Sequence, residues 1–161
     1  MVELAGEIGD GLVFSSGCRS HMAASLSMIP QTRREDATFF IGNRVRVCID
    51  SDPAIARAVL RNALSHYALM PNYRNYWIEA GYTDEMQAVA TAVAENRLND
   101  VACCLSDRLL ADTTLSGTAT QVREGVEAWR AAGIKTPVLV PLAADGSQMS
   151  ALRDVFAAFA G

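Results

Sequence analysis

The stretch LSGTATQVREGVEAWRAAGIKTPVLVPLA, residues 115 to 143, constrains the fold of this chain most tightly. Thr118 and Gln121 have the T-x-x-Q spacing of a capping box, in which two side chains satisfy backbone N–H groups that a first helical turn leaves free. Val122, Val126 and Trp129 then fall on one helix face, and Gly133 ends the helix. Val138 to Val140, between Pro137 and Pro141, reads as a short buried strand. A capped helix feeding a short apolar strand suits a parallel sheet, whose strands are covered on both faces.

The same alternation runs through the rest of the chain. Val2, Leu4, Ala5 and Ile8 share a helix face that Gly9 to Gly11 break. Leu12 to Phe14 begin a strand that ends at Ser15, Ser16 and Gly17, and a helical stretch from about Ser20 to Met28 stops near Pro30. Thr38 to Asp50 hold a second strand, with apolar Val45, Val47 and Ile49 alternating with Arg44, Arg46 and Cys48. Asp52 before Pro53 starts a helix carrying Ile55, Val59, Leu60 and Leu64, which Pro71 interrupts. Tyr73, Tyr76, Trp77 and Ile78 follow in a short helix ended by Gly81. Thr83 is the expected cap of a helix with Met86, Val89, Ala90 and Val93, and Val101 to Leu110 reads as helical. A helical block of roughly residues 53–115 therefore separates the second and third strands. Leu152, Val155, Phe156 and Phe159 make a final amphipathic helix. We expect one α/β domain over residues 1–161, with about three parallel strands and covering helices. Such a sheet leaves two open edges for helices, a partner or further strands to cover.

Bulk composition narrows the function classes. A formal net charge of −4 argues against general nucleic-acid binding, which needs a surplus of Lys and Arg. No apolar run approaches the ~20 residues that cross a bilayer, and Glu3 and Glu7 replace the basic start of a signal peptide. The expected setting is the cytoplasm, with no membrane partner. Cys18, Cys48, Cys103 and Cys104 form no C-x-x-C pair and read as free thiols. His21 and His66 share no metal-ligand spacing, so no metal site is expected.

Three segments carry a family resemblance. LAGEIGDGLVFSSG, RVRVCIDSDPAIARAVLRNALSHYALMPNYRNYWIEAGY and LSDRLLADTTLSGTATQVREGVEAWRAAGIKTPVLVPL resemble, in this order, the C-terminal half of the luciferase-like monooxygenase superfamily. The first is similar to the sixth barrel strand with its preceding helix, the second to the seventh strand and its helical insertion, and the third to the family's tail. The Y-R-x-x-x-x-x-A-G-Y and L-S-D-x-L-L patterns are most similar to the methylenetetrahydromethanopterin reductase branch, which uses coenzyme F420. The resemblance implies the C-terminal part of a (β/α)8 TIM barrel, truncated because the first five strands have no counterpart here. It implies hydride transfer between F420, or alternatively FMN, and a small organic substrate. It equally leaves room for an inactive half-barrel acting as an accessory or oligomerising module. The expected partners are a second copy of the chain or a complementing N-terminal half.

The expected site follows from the rule that barrel enzymes work at the C-terminal ends of their strands. Ser15, Ser16 and Gly17 end the first strand, and two hydroxyls with a glycine can present O–H and N–H donors to a phosphate or carboxylate. The resemblance makes them candidate cofactor-binding residues; a turn capping a helix around Arg19 and Ser20 explains the same residues structurally. Asp50 reads as a helix-capping carboxylate, and Arg44 as a member of a structural ion pair. The aromatics at 73, 76, 77 and 82 read as core or interface. No nucleophile–base pair, P-loop or dinucleotide fingerprint is visible, so the catalytic residues stay open.

Overall fold

The computed structural model describes residues 1–160. Helix α1 (Val2–Ile8) leads into strand β1 (Gly11–Ser15), a 3-10 turn (Arg19–His21) and two short helices, α2 (Met22–Ser27) and α3 (Gln31–Glu35). Strand β2 (Phe40–Ile49) is followed by the helices α4 (Pro53–Ala68), α5 (Pro71–Glu79) and α6 (Thr83–Ala94). A 3-10 segment (Leu98–Cys104) and helix α7 (Asp107–Thr113) complete the helical block. Strand β3 (Thr114–Gly117), helix α8 (Ala119–Ala131), strand β4 (Thr136–Leu142) and helix α9 (Gln148–Phe159) end the chain.

The local signals act as their chemistry requires. Asp52 accepts from the Ala54 N–H at 2.8 Å, with Pro53 in the first turn of α4. Thr118 and Gln121 form the reciprocal capping box of α8. Gly133 takes the left-handed φ of 100° that closes this helix, while Gly133 and Ile134 donate to the carbonyls of Arg130 and Trp129. Thr83 begins α6, but its side chain makes no cap; Tyr82 occupies that position.

All four strands run parallel, with β2 in the centre. β1 pairs with residues 40–44 of β2, β3 with 46–49 and β4 with 42–48. The span paired with β4 overlaps both of the others, so β1 and β3 share the opposite edge of β2, end to end. β3 is the strand that the periodicity does not reveal: four residues are too few to show an alternation. The stretch read as one helix from Val101 to Leu110 is instead broken at Leu105–Ser106, where the Ser106 hydroxyl caps α7.

The two faces of β2 meet different cores. Ile41, Val45 and Val47 join Met22, Leu26, Val122, Val126 and Trp129 beneath α2 and α8. Each large side chain buried there contributes roughly 1.5–3 kcal/mol. On the other face, Cys48 packs into a second cluster built by the helical block around Leu60, Leu64, Trp77, Met86 and Leu109. That block covers only the C-terminal end of this face. Toward the N-terminal ends of the strands, Val13, Phe40 and Val138 remain 52%, 41% and 37% exposed. The outer edges of β1 and β4 have no strand partner among the described residues. No described helix is long and apolar enough to cross a membrane.

Candidate functional site

The segment leaving β1 passes beneath α5, at the end of the sheet where β3 pairs with β2. Ser15 is half-buried and lies in strand register with Arg44. With Val13, Gly17, Asn72, Tyr73 and Tyr76 it lines an open groove of about 290 Å³. Its hydroxyl has no hydrogen-bond partner among the described residues.

Ser16 is buried in the left-handed region, with φ 54°. Its N–H donates to the Arg44 carbonyl at 3.2 Å, and its carbonyl accepts from Trp77 Nε1 at 3.1 Å. Its Oγ accepts from Arg46 Nη1 at 2.7 Å. The next two N–H groups are also occupied: Gly17 donates to Asn43 Oδ1 at 3.4 Å and Cys18 to the Tyr76 hydroxyl at 3.1 Å. The loop therefore spends its backbone donors on its own frame. The Ser15 hydroxyl is what it leaves to a ligand. The 3-10 turn at Arg19–His21 has no side-chain cap, so capping is not the role of these serines.

A second polar cluster fixes the far end of this loop. Buried Asp112 of α7 accepts from Ser20 N at 2.8 Å, Ser20 Oγ at 2.6 Å and the Tyr82 hydroxyl at 2.8 Å. Burial first, and then Asp112, push the Tyr82 phenol and the adjacent Cys18 thiol well above their ordinary values. Burial and Asp112 thus disfavour the thiolate of Cys18. Burial, Asp50 and Asp154 raise Cys48 in the same way. All four cysteines are free, with Cys103 exposed.

Asp50 Oδ1 accepts from Asp52 N at 2.8 Å, a turn bond ahead of α4; the helix cap expected of Asp50 is made by Asp52. Arg44 is exposed and belongs to no ion pair among the described residues, contrary to its reading as a structural partner. Trp77 and Tyr82 are core residues, whereas Tyr73 and Tyr76 line the groove. Asp112, Arg46 and the bond from Trp77 carry most of the site's order, and none shows a sequence motif. Among the described residues, no group of three or more His, Cys, Asp or Glu is placed to hold a metal ion.

The model of the luciferase-like monooxygenase family matches residues 1–136 of the chain. No curated protein matches it. Solved structures similar in fold include the following two. One is the coenzyme F420-dependent tetrahydromethanopterin reductase from Methanopyrus kandleri, at 14% identity and a TM-score of 0.70, covering 99% of this chain and 48% of that one. The other is an F420-dependent secondary alcohol dehydrogenase in complex with an F420–acetone adduct, at 17% identity and a TM-score of 0.60, covering 86% and 39%. The chain spans less than half the length of either.

Proposed function

The chain belongs to the luciferase-like monooxygenase family, and on that premise we propose that it forms one side of a barrel transferring hydride between a deazaflavin and a small organic substrate. The deazaflavin would be coenzyme F420, with FMN as the alternative. The observation that carries this reading is the groove at the end of β1, where a free Ser15 hydroxyl meets the rings of Tyr73 and Tyr76. A bound deazaflavin or flavin supplies the redox chemistry; the protein binds and orients it. Ser15 would donate to a polar edge of that ligand and Gly17 would keep the wall low, while Ser16 holds the loop in place. At about 290 Å³ the groove lies at the lower end of ligand sites, so it would hold a ring or a tail rather than a whole cofactor. The remaining walls would come from chain that covers Val13, Phe40 and Val138, in a complementing N-terminal half or a second copy. The free thiols and the absence of disulfides suit a reducing cytoplasm.

Equilibrium dialysis of the assembled protein against F420 and against FMN tests this reading. Saturable binding of F420, weakened in Ser15→Ala, is the expected result. Retention of neither cofactor would sink it.

The open sheet face favours a second reading, a catalytically inactive half-barrel acting as an accessory or oligomerising module. Val13, Phe40 and Val138 lie between two unpaired strand edges, an arrangement that invites pairing. Full deazaflavin-dependent turnover by a monomer would exclude it.

A further inference from the structure

Arg46 stands on the face of β2 that carries Arg44 and Cys48, and it is only 7% exposed. The seven ion pairs of the described residues all involve other side chains, so no carboxylate lies within 4.0 Å of it. Its guanidinium carries five N–H donors, of which the protein uses one, from Nη1 to Ser16 Oγ at 2.7 Å. The rest of its support is the ring of Tyr67, 4.0 Å from Cζ. Nε and Nη2 have no protein acceptor, yet neither is among the sealed polar atoms left unpaired, so both still reach open space.

A neutral hydroxyl and a π-face are poor compensation for a buried full charge, because desolvation penalises an ion far more than a dipole. Ser16 already has its backbone bonds to Arg44 and Trp77. The fold thus uses one of the five donors and leaves the rest of the fork unpaired. Two further groups share this face without partners: Arg44, two residues earlier, and Ser15, in register with it.

We infer that Arg46, with Arg44 and Ser15 beside it, receives an oxyanion of the ligand, a carboxylate or a phosphate group. The planar fork of a guanidinium matches two oxygens of such a group, and Tyr67 holds its plane. The inference rests on the hydride-transfer reading only for what carries the oxyanion, either the substrate or the tail of the cofactor.

The test needs no cofactor. The protein is titrated with inorganic phosphate and with acetate, against sodium chloride at matched ionic strength. The readouts are the indole N–H resonance of Trp77, bonded to the carbonyl of Ser16, and the melting temperature. A saturable shift of the indole and a rise in melting temperature are expected, weakened at least tenfold in Arg46→Lys and lost in Arg46→Met. A native protein that answers neither anion overturns the inference, as does an Arg46→Met variant that answers as the native protein does. Should Arg46→Met not fold, Arg46→Lys decides, since it keeps the charge and loses the fork; an unchanged affinity overturns the inference. A failure of cofactor binding in dialysis leaves these anion titrations intact, so the two failures are distinguishable. Comparing a phosphorylated deazaflavin with its phosphate-free riboside assigns the source. Arg46→Lys weakens only the phosphorylated form if the oxyanion is the cofactor's, and neither form if it is the substrate's.

Discussion

Arg46 Nη1 donates to Ser16 Oγ at 2.7 Å, and Ser16 is a non-glycine residue held at φ 54°. The left-handed conformation costs about 1–2 kcal/mol in a residue with a Cβ. Three bonds offset it, to the N–H, the carbonyl and the hydroxyl of the same residue. Ser16→Ala keeps the strain and strips Arg46 of its one acceptor, so it should cost about 1–3 kcal/mol. Ser16→Gly loses the same bond but sheds the strain, so it should fall between Ser16→Ala and the native protein. Urea denaturation midpoints check the order; an Ser16→Ala midpoint equal to the native one would contradict it.

Asp112 ties the loop after β1 to α7 and to Tyr82 through three hydrogen bonds. Bonds to a charged acceptor contribute about 1.5–3 kcal/mol each, and leaving their donors buried and unpaired adds to the loss. Asp112→Ala should therefore cost about 3 kcal/mol or more, and Tyr82→Phe, which removes one of the three donors, about 1 kcal/mol. Midpoints at unchanged denaturant slope would show that the loss lies in the folded state. Equal costs for the two variants would mean that Asp112 does not act as the hub.

Stability should fall at alkaline pH. Cys18 and Tyr82, with ordinary values of 9.0 and 10.0, are both raised in the folded protein, first by burial and then by Asp112. Both groups are neutral when protonated, and the folded state holds those protons more tightly. Their contribution is full below the unfolded values. Above them the unfolded chain gives up its protons first, and the contribution is lost as pH rises through the folded values. Denaturation at pH steps from about 8 to about 11 should show a decline that starts near the thiol's ordinary value. Tyr82→Phe should flatten the upper part of that decline. A level profile in the native protein would contradict the assignment.

The parts of this fold that a reader of the sequence can see are those set by neighbours in the chain. The Thr118–Gln121 box, the Gly133 stop, the Asp52–Pro53 start and the alternation of β2 each depend on contacts within a few residues. β3 is hidden because Thr114 to Gly117 become a strand only by pairing with Arg46 to Ile49. Asp112 reads as an ordinary helical acid, for its donors lie 92 and 30 residues away. Arg44 and Arg46 share one face of one strand, and nothing local says which lies under Tyr67. The sequence places Ser15, Ser16 and Gly17 at a strand end, and of the three only Ser15 and Gly17 line the groove. How those three divide the work depends on Trp77, 61 residues from Ser16.

Gly11 offers a test of how closely the site depends on the seating of β1. It pairs with Phe40, and a Cβ at Gly11 would press into the carbonyl oxygen and Cβ of that residue. Backbone cannot move aside as a flexible side-chain end can, so β1 would have to lift away from β2. Overpacking of this kind costs about 1–3 kcal/mol. The displacement would run down the strand to Ser15 and Ser16, whose partners Arg44, Arg46 and Trp77 belong to β2 and α5. Gly11→Ala should therefore lower the urea midpoint and shift the Trp77 indole resonance, although Trp77 touches neither Gly11 nor Phe40 through any hydrogen bond. A lowered midpoint with an unmoved indole would mean that the loop is held by Arg46, Trp77 and Asp112 alone, independent of the strand that delivers it.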